Sequence, residues 1–381
     1  MNDENAAAAN TAYMHSTLQN RGTVWIPAGT LYVAGTATTA AKVGCGRIRT
    51  WAGGGYPIES HPTLGQVGTR IVQTTSGPII RVAGSGFEVD GPIEFRGDNA
   101  SSAIQLEGRA APATGFHTFN DVIFKKWDAC FEALAGYYDG NGDFQADENH
   151  ADNSKVNGLN AQNCVRMFKS TNQQAQIWTF RNVNWSWDNN VSDPAWSYLF
   201  DCQRGGKWYI DGLEIAATPV TMLRVDDFSP NNSQFGFRNV SVDRMIYATS
   251  SVSITRSGTT ATVTHTNHKL VSGIRVQIAG CNETSYNGSY IITVTGSNTY
   301  TYTVSGSPAT PATGSPTSTP KCIVRLFDYN GDPLNANFSK WKFKIDNMFS
   351  SCFIHADDLY SVPGDLPQTY WNVDYTTIHT S

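Results

Sequence analysis

Carboxylates placed at matching points of a repeated segment are the first chemistry this sequence offers. Hydrolysis of a glycosidic bond needs two of them flanking the scissile oxygen, about 5 to 5.5 Å apart for retention and roughly 6.5 to 9.5 Å for inversion. Asp128 lies nine residues after Phe119 and Asp188 eight after Phe180, and both phenylalanines open a segment of the form apolar-x-[Asn/Asp/Gly]-apolar-x-apolar. If the segments stack in register, the two carboxylates stand two rungs apart, about 9.6 Å, at the loose edge of the inverting window. Glu214 and Asp243, on later coils, are alternative partners. Trp127, Trp185, Trp187 and Trp196 lie nearby, where flat apolar faces would seat sugar rings; the competing reading puts them in the interior or in a subunit seam. A lyase would need a base and a cation or metal beside a uronate, and no Lys/Arg cluster accompanies these carboxylates.

A second group resembles a calcium loop in its opening. Asp139, Asn141 and Asp143 alternate as the first, third and fifth ligands of an EF-hand do, and Asp147 falls at the ninth. Phe144 then stands where such a loop needs Gly, and His150 where it needs a bidentate Glu. Calcium in the 139–147 loop is therefore an expectation that competes with a plain exposed loop, and no cofactor is required. The histidines show no H-x-x-x-H pairing, and no Gly-x-Ser-x-Gly elbow supports a serine nucleophile.

The segments that carry these residues define the architecture. Phe119-Asn-Asp-Val-Ile-Phe124, Phe180-Arg-Asn-Val-Asn-Trp185, Ile210-Asp-Gly-Leu-Glu-Ile215 and Phe237-Arg-Asn-Val-Ser-Val242 are clear copies; looser ones begin at Val89, Val156, Phe338 and Tyr370. The steps between first residues are 30, 37, 24, 30, 27, 101 and 32. One half-buried strand per repeat of roughly 30 residues, with variable loops, predicts an all-β fold: a right-handed parallel β-helix. Asn120, Asn182, Asp211, Asn239 and Asn372 sit where a turn or a stacked polar ladder would use them.

The step of 101 contains an insertion. Residues 251–320 turn Thr/Ser/Val/Tyr-rich with short alternating runs and turn signals at Ser257-Gly258 and Asn287-Gly288, which predicts a small antiparallel β module leaving through a Pro/Ser/Thr linker at 305–320. Removing these 70 residues leaves one ordinary coil of 31. At the front, residues 1–22 are expected to form a capping helix with Tyr13, Met14 and Leu18 on one face, because an open solenoid end is an exposed sheet edge. The β-helix is then expected over 23–250 and again over 321–381.

Composition agrees with many tight turns: charged residues are 15% of the chain, Gly numbers 34, and the net charge is -5. That balance, without a basic run, argues against nucleic acid as a partner. No apolar stretch reaches 18 residues, so no membrane insertion is expected, and the start lacks the basic-then-apolar pattern of a secretory leader. Seven cysteines without C-x-x-C read as buried thiols.

A helix followed by Gly22-Thr-Val-Trp-Ile-Pro-Ala-Gly-Thr-Leu-Tyr-Val33, then Gly68-Thr-Arg-Ile71 and Val82-Ala-Gly-Ser-Gly-Phe-Glu-Val-Asp-Gly91, resembles the opening of the pectate-lyase-like β-helix superfamily, which includes bacteriophage tailspikes and secreted polysaccharide-cleaving enzymes. The insert, with Val263-Thr-His-Thr-Asn-His268, Tyr286-Asn-Gly-Ser-Tyr290 and Tyr300-Thr-Tyr-Thr-Val-Ser-Gly306, looks like a small β module of phage structural proteins, although it lacks the Gly after the His and the Asp near Arg275 usual there. Together these imply a virion protein of tail-spike or fibre type, a homotrimer that meets host surface polysaccharide and other virion proteins, with depolymerase activity as an option. A secreted monomeric polysaccharide lyase or glycoside hydrolase is the alternative, and a non-enzymatic capsid or tail decoration protein a second. The chain departs from a complete tailspike in starting at the capping helix and stopping within a coil, so a fragment or a shorter virion component is expected.

Overall fold

From Thr118 onward each described long strand is bent by a left-handed residue at the third motif position, whereas the earlier copy at Val89 has Gly91 there without a left-handed φ. The computed structural model describes residues 4–50, 58–61, 65–98, 100–109, 114–147, 151–187, 197–216, 220–226, 234–242, 249–268, 270, 272–273, 275–320, 324–329, 342–350, 373–375 and 378–380. The bend residues Asp121, Gly158, Asn182, Gly212, Asn239 and Asn347 have φ of 50°, 73°, 53°, 75°, 52° and 58°. Asn, Asp and Gly are the residues that enter this region at least cost, which is why the motif allows only them there. Stacked asparagines also bond between coils: Asn182 Nδ2 donates to Asn157 Oδ1 at 3.1 Å, and Asn347 Nδ2 to Asn239 Oδ1 at 2.8 Å.

The long strands pair in parallel, in the order Glu88–Arg96, Thr118–Lys125, Lys155–Gln162, Gln176–Ser186, Gly206–Ala216, Gln234–Val242 and Lys342–Ser350. A second parallel sheet of eight shorter strands includes Ser102–Leu106, Ala129–Ala133, Arg166–Ser170, Ser197–Cys202, Val220–Val225 and Val324–Tyr329. Long and short strands alternate along the chain, so every coil contributes one of each, and the molecule is a parallel β-helix. Val89, Phe119, Val156, Phe180, Ile210 and Phe237 form one inward column. The register corrects two copies: Ile345, not Phe338, stacks on Phe237, and Tyr375, not Tyr370, on Ile345. Phe338, Tyr370 and Asn372 lie outside the described residues.

The interior is aromatic. Phe168 meets Trp178 at 4.4 Å and Trp208 at 4.7 Å between ring centroids, and Phe119 meets Phe131 at 4.6 Å. Buried indoles staple neighbouring coils: Trp178 Nε1 donates to Ala151 O and Trp208 Nε1 to Ala175 O, both at 2.8 Å. Cys45, Cys130, Cys164, Cys202 and Cys281 are buried free thiols; Cys322 and Cys352 lie outside the described residues.

The helix Ala7–Gln19 packs on the first strands through Met14 and Leu18, whereas Tyr13, expected on the same face, points to solvent. Among the described residues no helix is long and apolar enough to cross a membrane. Residues 250–320 form two four-stranded antiparallel sheets. Their core is separate from that of the solenoid and includes Ile254, Val263, Ile278, Tyr286, Tyr300 and Tyr302. The Pro/Ser/Thr stretch expected as a linker ends in a strand, Gly314–Pro320, because its backbone completes the edge of Arg275–Cys281.

Candidate functional site

The outer face of the short-strand sheet holds Asp128, one of the carboxylates singled out by sequence spacing, within a set of charges that neutralise one another. Glu132, Lys169, Asp201 and Arg224 occupy one outward column on successive coils. Lys169 Nζ lies 2.8 Å from Glu132, and Arg166 Nε 2.9 Å from Asp201, while the other arm of Arg166 reaches Asp128. Burial raises the Glu132 carboxyl, but the Lys169 ammonium and hydrogen bonds from Lys169, Ser102 and Gln105 outweigh it and hold the group below its ordinary value. Asp128 is thus one end of an Asp128–Arg166–Asp201 bridge spanning three coils. Its Oδ1 is taken up by the Arg166 guanidinium. Asp188, Asp243 and Trp196 lie outside the described residues. Glu214 stands on the long-strand face, where it accepts a hydrogen bond from Asn184 Nδ2 at 2.8 Å.

Three of the expected sugar platforms are interior residues. Trp127 and Trp185 are fully buried, and their indole N–H groups donate to Phe95 O at 2.9 Å and Cys164 O at 2.7 Å. Trp187 is buried beside Trp185, with ring centroids 6.3 Å apart. Trp185 is covered because the sixth motif position is itself inward, and Trp127 and Trp187, beyond the motif, are buried with it in the same core.

The 139–147 segment is a β-hairpin turn. Gly136–Tyr138 pairs antiparallel with Phe144–Ala146. Asp139 Oδ1 accepts from the backbone N–H of Asn141 and of Asp143, both at 2.9 Å, and Oδ2 accepts from Gln145 Nε2 at 3.1 Å. The amides of Asp143 and Asn141 hold the carboxyl below its ordinary value. The first ligand of the calcium pattern therefore caps its own turn. Among the described residues no group of three or more His, Cys, Asp or Glu is placed to hold a metal ion.

An open groove lies on the other face of the solenoid. The groove, of about 420 Å³, is lined by Thr179, Arg181, Tyr209, Asp211, Gln234, Gly236, Arg238 and Asp346, above the inward Ile210, Phe235 and Phe237. Tyr209 points outward because its neighbours Trp208 and Ile210 fill the core, which leaves the ring 45% exposed, and its hydroxyl lies 3.3 Å from Gln234 Oε1. Gly236 follows Tyr209 on the next coil. Its φ lies outside the left-handed region, and a Cβ there would touch only the Tyr209 ring, at 3.4 Å, so the backbone does not require glycine. Glycine in a strand interior without a conformational reason marks a place where something approaches closely.

Beside this notch Arg181, Asp211, Arg238 and Asp346 alternate in sign up one column. The Arg238–Asp346 contact is long, 4.0 Å, and solvent-exposed. Two cations and two anions leave no net field for a phosphate, but they offer planar donors and acceptors around an exposed aromatic face. That combination matches a polyol with an apolar C–H face. Sequence spacing missed this site because it sought carboxylates. The signal was there in Trp208-Tyr209-Ile210, an aromatic forced outward, and in Gly236 within an apolar-alternating run.

No family model matches the chain, and no curated protein does. Among solved structures it is similar to Escherichia coli YbhC at TM-score 0.43 and 10% identity, covering 61% of this chain and 67% of that one. It is similar to DFA-IIIase from Arthrobacter chlorophenolicus at TM-score 0.42 and 10% identity, covering 62% and 58%. A third likeness, at TM-score 0.30 and 10% identity over 81% and 79%, is a tailspike protein of an Acinetobacter baumannii bacteriophage, a capsular polysaccharide depolymerase. The chain thus spans little more than half the length of the DFA-IIIase.

Proposed function

We propose that this chain is a glycan-binding β-helix of a bacteriophage virion appendage, of tail-spike or fibre type, which assembles as a homotrimer and meets host surface polysaccharide. The observation that carries the glycan reading is the exposed Tyr209 ring beside the bare backbone of Gly236, framed by Arg181, Asp211, Arg238 and Asp346. A sugar ring stacks its C–H face on the tyrosine, and its hydroxyls bond to the guanidinium and carboxylate groups. The virion setting rests on the resemblance of the opening segment and of the inserted module to phage proteins.

Binding is a better reading than cleavage. Asp211 and Asp346 are two rungs apart with Arg238 between them. That spacing is about 9.6 Å, at the loose edge of the inverting window, and the rung between the two carboxylates carries Arg238 in place of an open position for a water.

The test is a panel of purified bacterial capsular polysaccharides and lipopolysaccharide O-chains presented to the wild-type chain and to Tyr209→Ala. Binding by the wild type that falls about fivefold to thirtyfold in the variant supports the reading, since losing a stacked aromatic costs roughly 1–2 kcal/mol. Binding that survives the substitution removes the groove from it. Light scattering on the same sample reads the assembly, for which a trimer has three times the 41.5 kDa chain mass, and assay of released reducing ends reads any cleavage.

A further inference from the structure

A second ladder of left-handed residues runs along the corner that precedes the long strands. Gly86, Phe116, Asn153, Ile177 and Lys207 have φ of 71°, 56°, 56°, 57° and 59°. The pairing of the flanking residues places them in one column on successive coils. Gly and Asn enter this region readily, whereas a bulky aromatic and above all a β-branched residue are strained there. Burial does not compensate: Phe116 is 65% exposed and Ile177 45% exposed. Folding alone would favour Asn or Gly at both places, as at Asn153 and Gly86. Strain held at exposed apolar side chains points to a function for those side chains.

Their position says which function. Ile177 and Lys207 share a rung step, and Tyr209 follows Lys207 by two residues, so Ile177 is a diagonal neighbour of the exposed ring on the same face. Phe116 continues the line two coils further from Tyr209's groove. We propose that Phe116, Ile177 and Tyr209 form one track along the solenoid axis that binds an extended polysaccharide across four coils. Three rung steps make it about 14 Å long. The inference rests on the glycan reading of the groove and deepens it: the ligand is a polymer lying along the axis, not a terminal sugar held at Tyr209 alone.

The side chains between the platforms favour a polyol over a protein. Asn153, Lys155, Thr179 and Lys207 alternate with the apolar groups along the track. Lysine is depleted in the cores of protein interfaces, where its desolvation is costly. Hydrogen-bonding groups interleaved with flat apolar ones instead match the alternating hydroxyl and C–H surfaces of a sugar chain.

The experiment uses the full chain and a purified bacterial capsular polysaccharide that the wild type binds, offered as polymer and as the monosaccharide fragments released by its complete acid hydrolysis, each too short to span the track. Phe116→Asn and Ile177→Asn are the variants, because Asn accepts the left-handed backbone and removes only the apolar platform. We expect each to weaken polymer binding about fivefold or more, to leave fragment affinity unchanged, and to keep or raise the melting temperature. Tyr209→Ala weakens polymer and fragment alike. Equal affinity of the wild type for polymer and fragment overturns the track, as does unchanged polymer binding in both Asn variants. A lowered melting temperature in both also overturns it, by assigning the two side chains a folding role. If no polysaccharide of the panel binds the wild type, the glycan reading itself fails and the track falls with it.

Discussion

Acid should destabilise this solenoid through one buried histidine, His117, and the size of the effect can be worked from its surroundings. His117 is buried next to Phe119, and its Nδ1 accepts the backbone N–H of Phe87 at 3.2 Å. The proton of the neutral ring is therefore on Nε2, which has no hydrogen-bond partner. A second proton would have to displace the Phe87 amide and bring an uncompensated charge into the core. Burial accordingly pushes the imidazole down to about 3 from an ordinary 6.5.

The sign follows directly. Between those two values the unfolded chain binds a proton at His117 and the folded chain does not, so stability rises with pH across that window. It is fully present above about pH 6.5 and is lost as the pH falls toward 3. Each pH unit below 6.5 costs about 1.4 kcal/mol, so pH 5 costs about 2 kcal/mol relative to pH 7.5.

The assay is equilibrium urea unfolding followed by tryptophan fluorescence at pH 7.5 and pH 5.0, in wild type and in His117→Asn. The Asn amide oxygen is an acceptor suited to the Phe87 N–H, and Asn does not titrate. Carboxylates that titrate near pH 5 are common to both proteins and cancel in the difference. The wild type should lose about 2 kcal/mol more than the variant between the two pH values. Equal losses would refute the reasoning and mean that water or relaxation solvates the protonated ring.

Three further outcomes follow from particular contacts. Arg166→Met should cost about 1–3 kcal/mol in urea unfolding, because it removes the 2.9 Å partner of a fully buried Asp201 side chain and leaves it Arg224 at 3.6 Å. Asp128→Asn, at the half-exposed end of the same bridge, should cost about 1 kcal/mol or less. Gly97→Ala should destabilise by about 1–3 kcal/mol in the same measurement, since its Cβ would stand 2.7 Å from carbons of the buried Trp127 indole. Gly236→Thr should leave the fold as stable or about 0.5–1 kcal/mol more stable while abolishing glycan binding; retained binding would remove the notch from the site.

The fold was legible because the six-residue motif carries its own physics. Apolar positions one, four and six fill the core, and Asn, Asp or Gly at position three makes the bend. The two copies misplaced in sequence show where the motif is weakest. Phe338-Ser-Lys-Trp-Lys-Phe343 has the alternation but no bend residue. The true rung, Ile345-Asp-Asn-Met-Phe-Ser350, has Asn347 at φ 58° but ends in Ser, so apolar counting overlooked it. Trp185 was equally decidable, since it occupies an inward position of a recognised copy. What sequence could not supply was the pairing of charges across coils. Whether Arg166 meets Asp128, Asp201 or both depends on where each loop returns the chain to the stack, and coils here differ by more than ten residues in length.

The two faces of the solenoid show why the groove, and not the charge ladder, is the better candidate site. On the short-strand face Arg166, Lys169 and Arg224 each bond a carboxylate on an adjacent coil, so stacking itself explains these residues, and removing one partner costs stability. On the long-strand face folding explains neither the glycine next to Tyr209 nor the left-handed Ile177 beside it. A strand glycine costs roughly 0.5–1 kcal/mol, and a strained non-glycine residue about 1–3 kcal/mol. Residues that lower the stability of the structure holding them, cluster on one face and expose apolar surface are those that a ligand, not the fold, would retain. Substitutions there should accordingly separate stability from binding: Gly236→Thr and Ile177→Asn raise or preserve the first and reduce the second, whereas changes in the Arg166 bridge reduce stability alone.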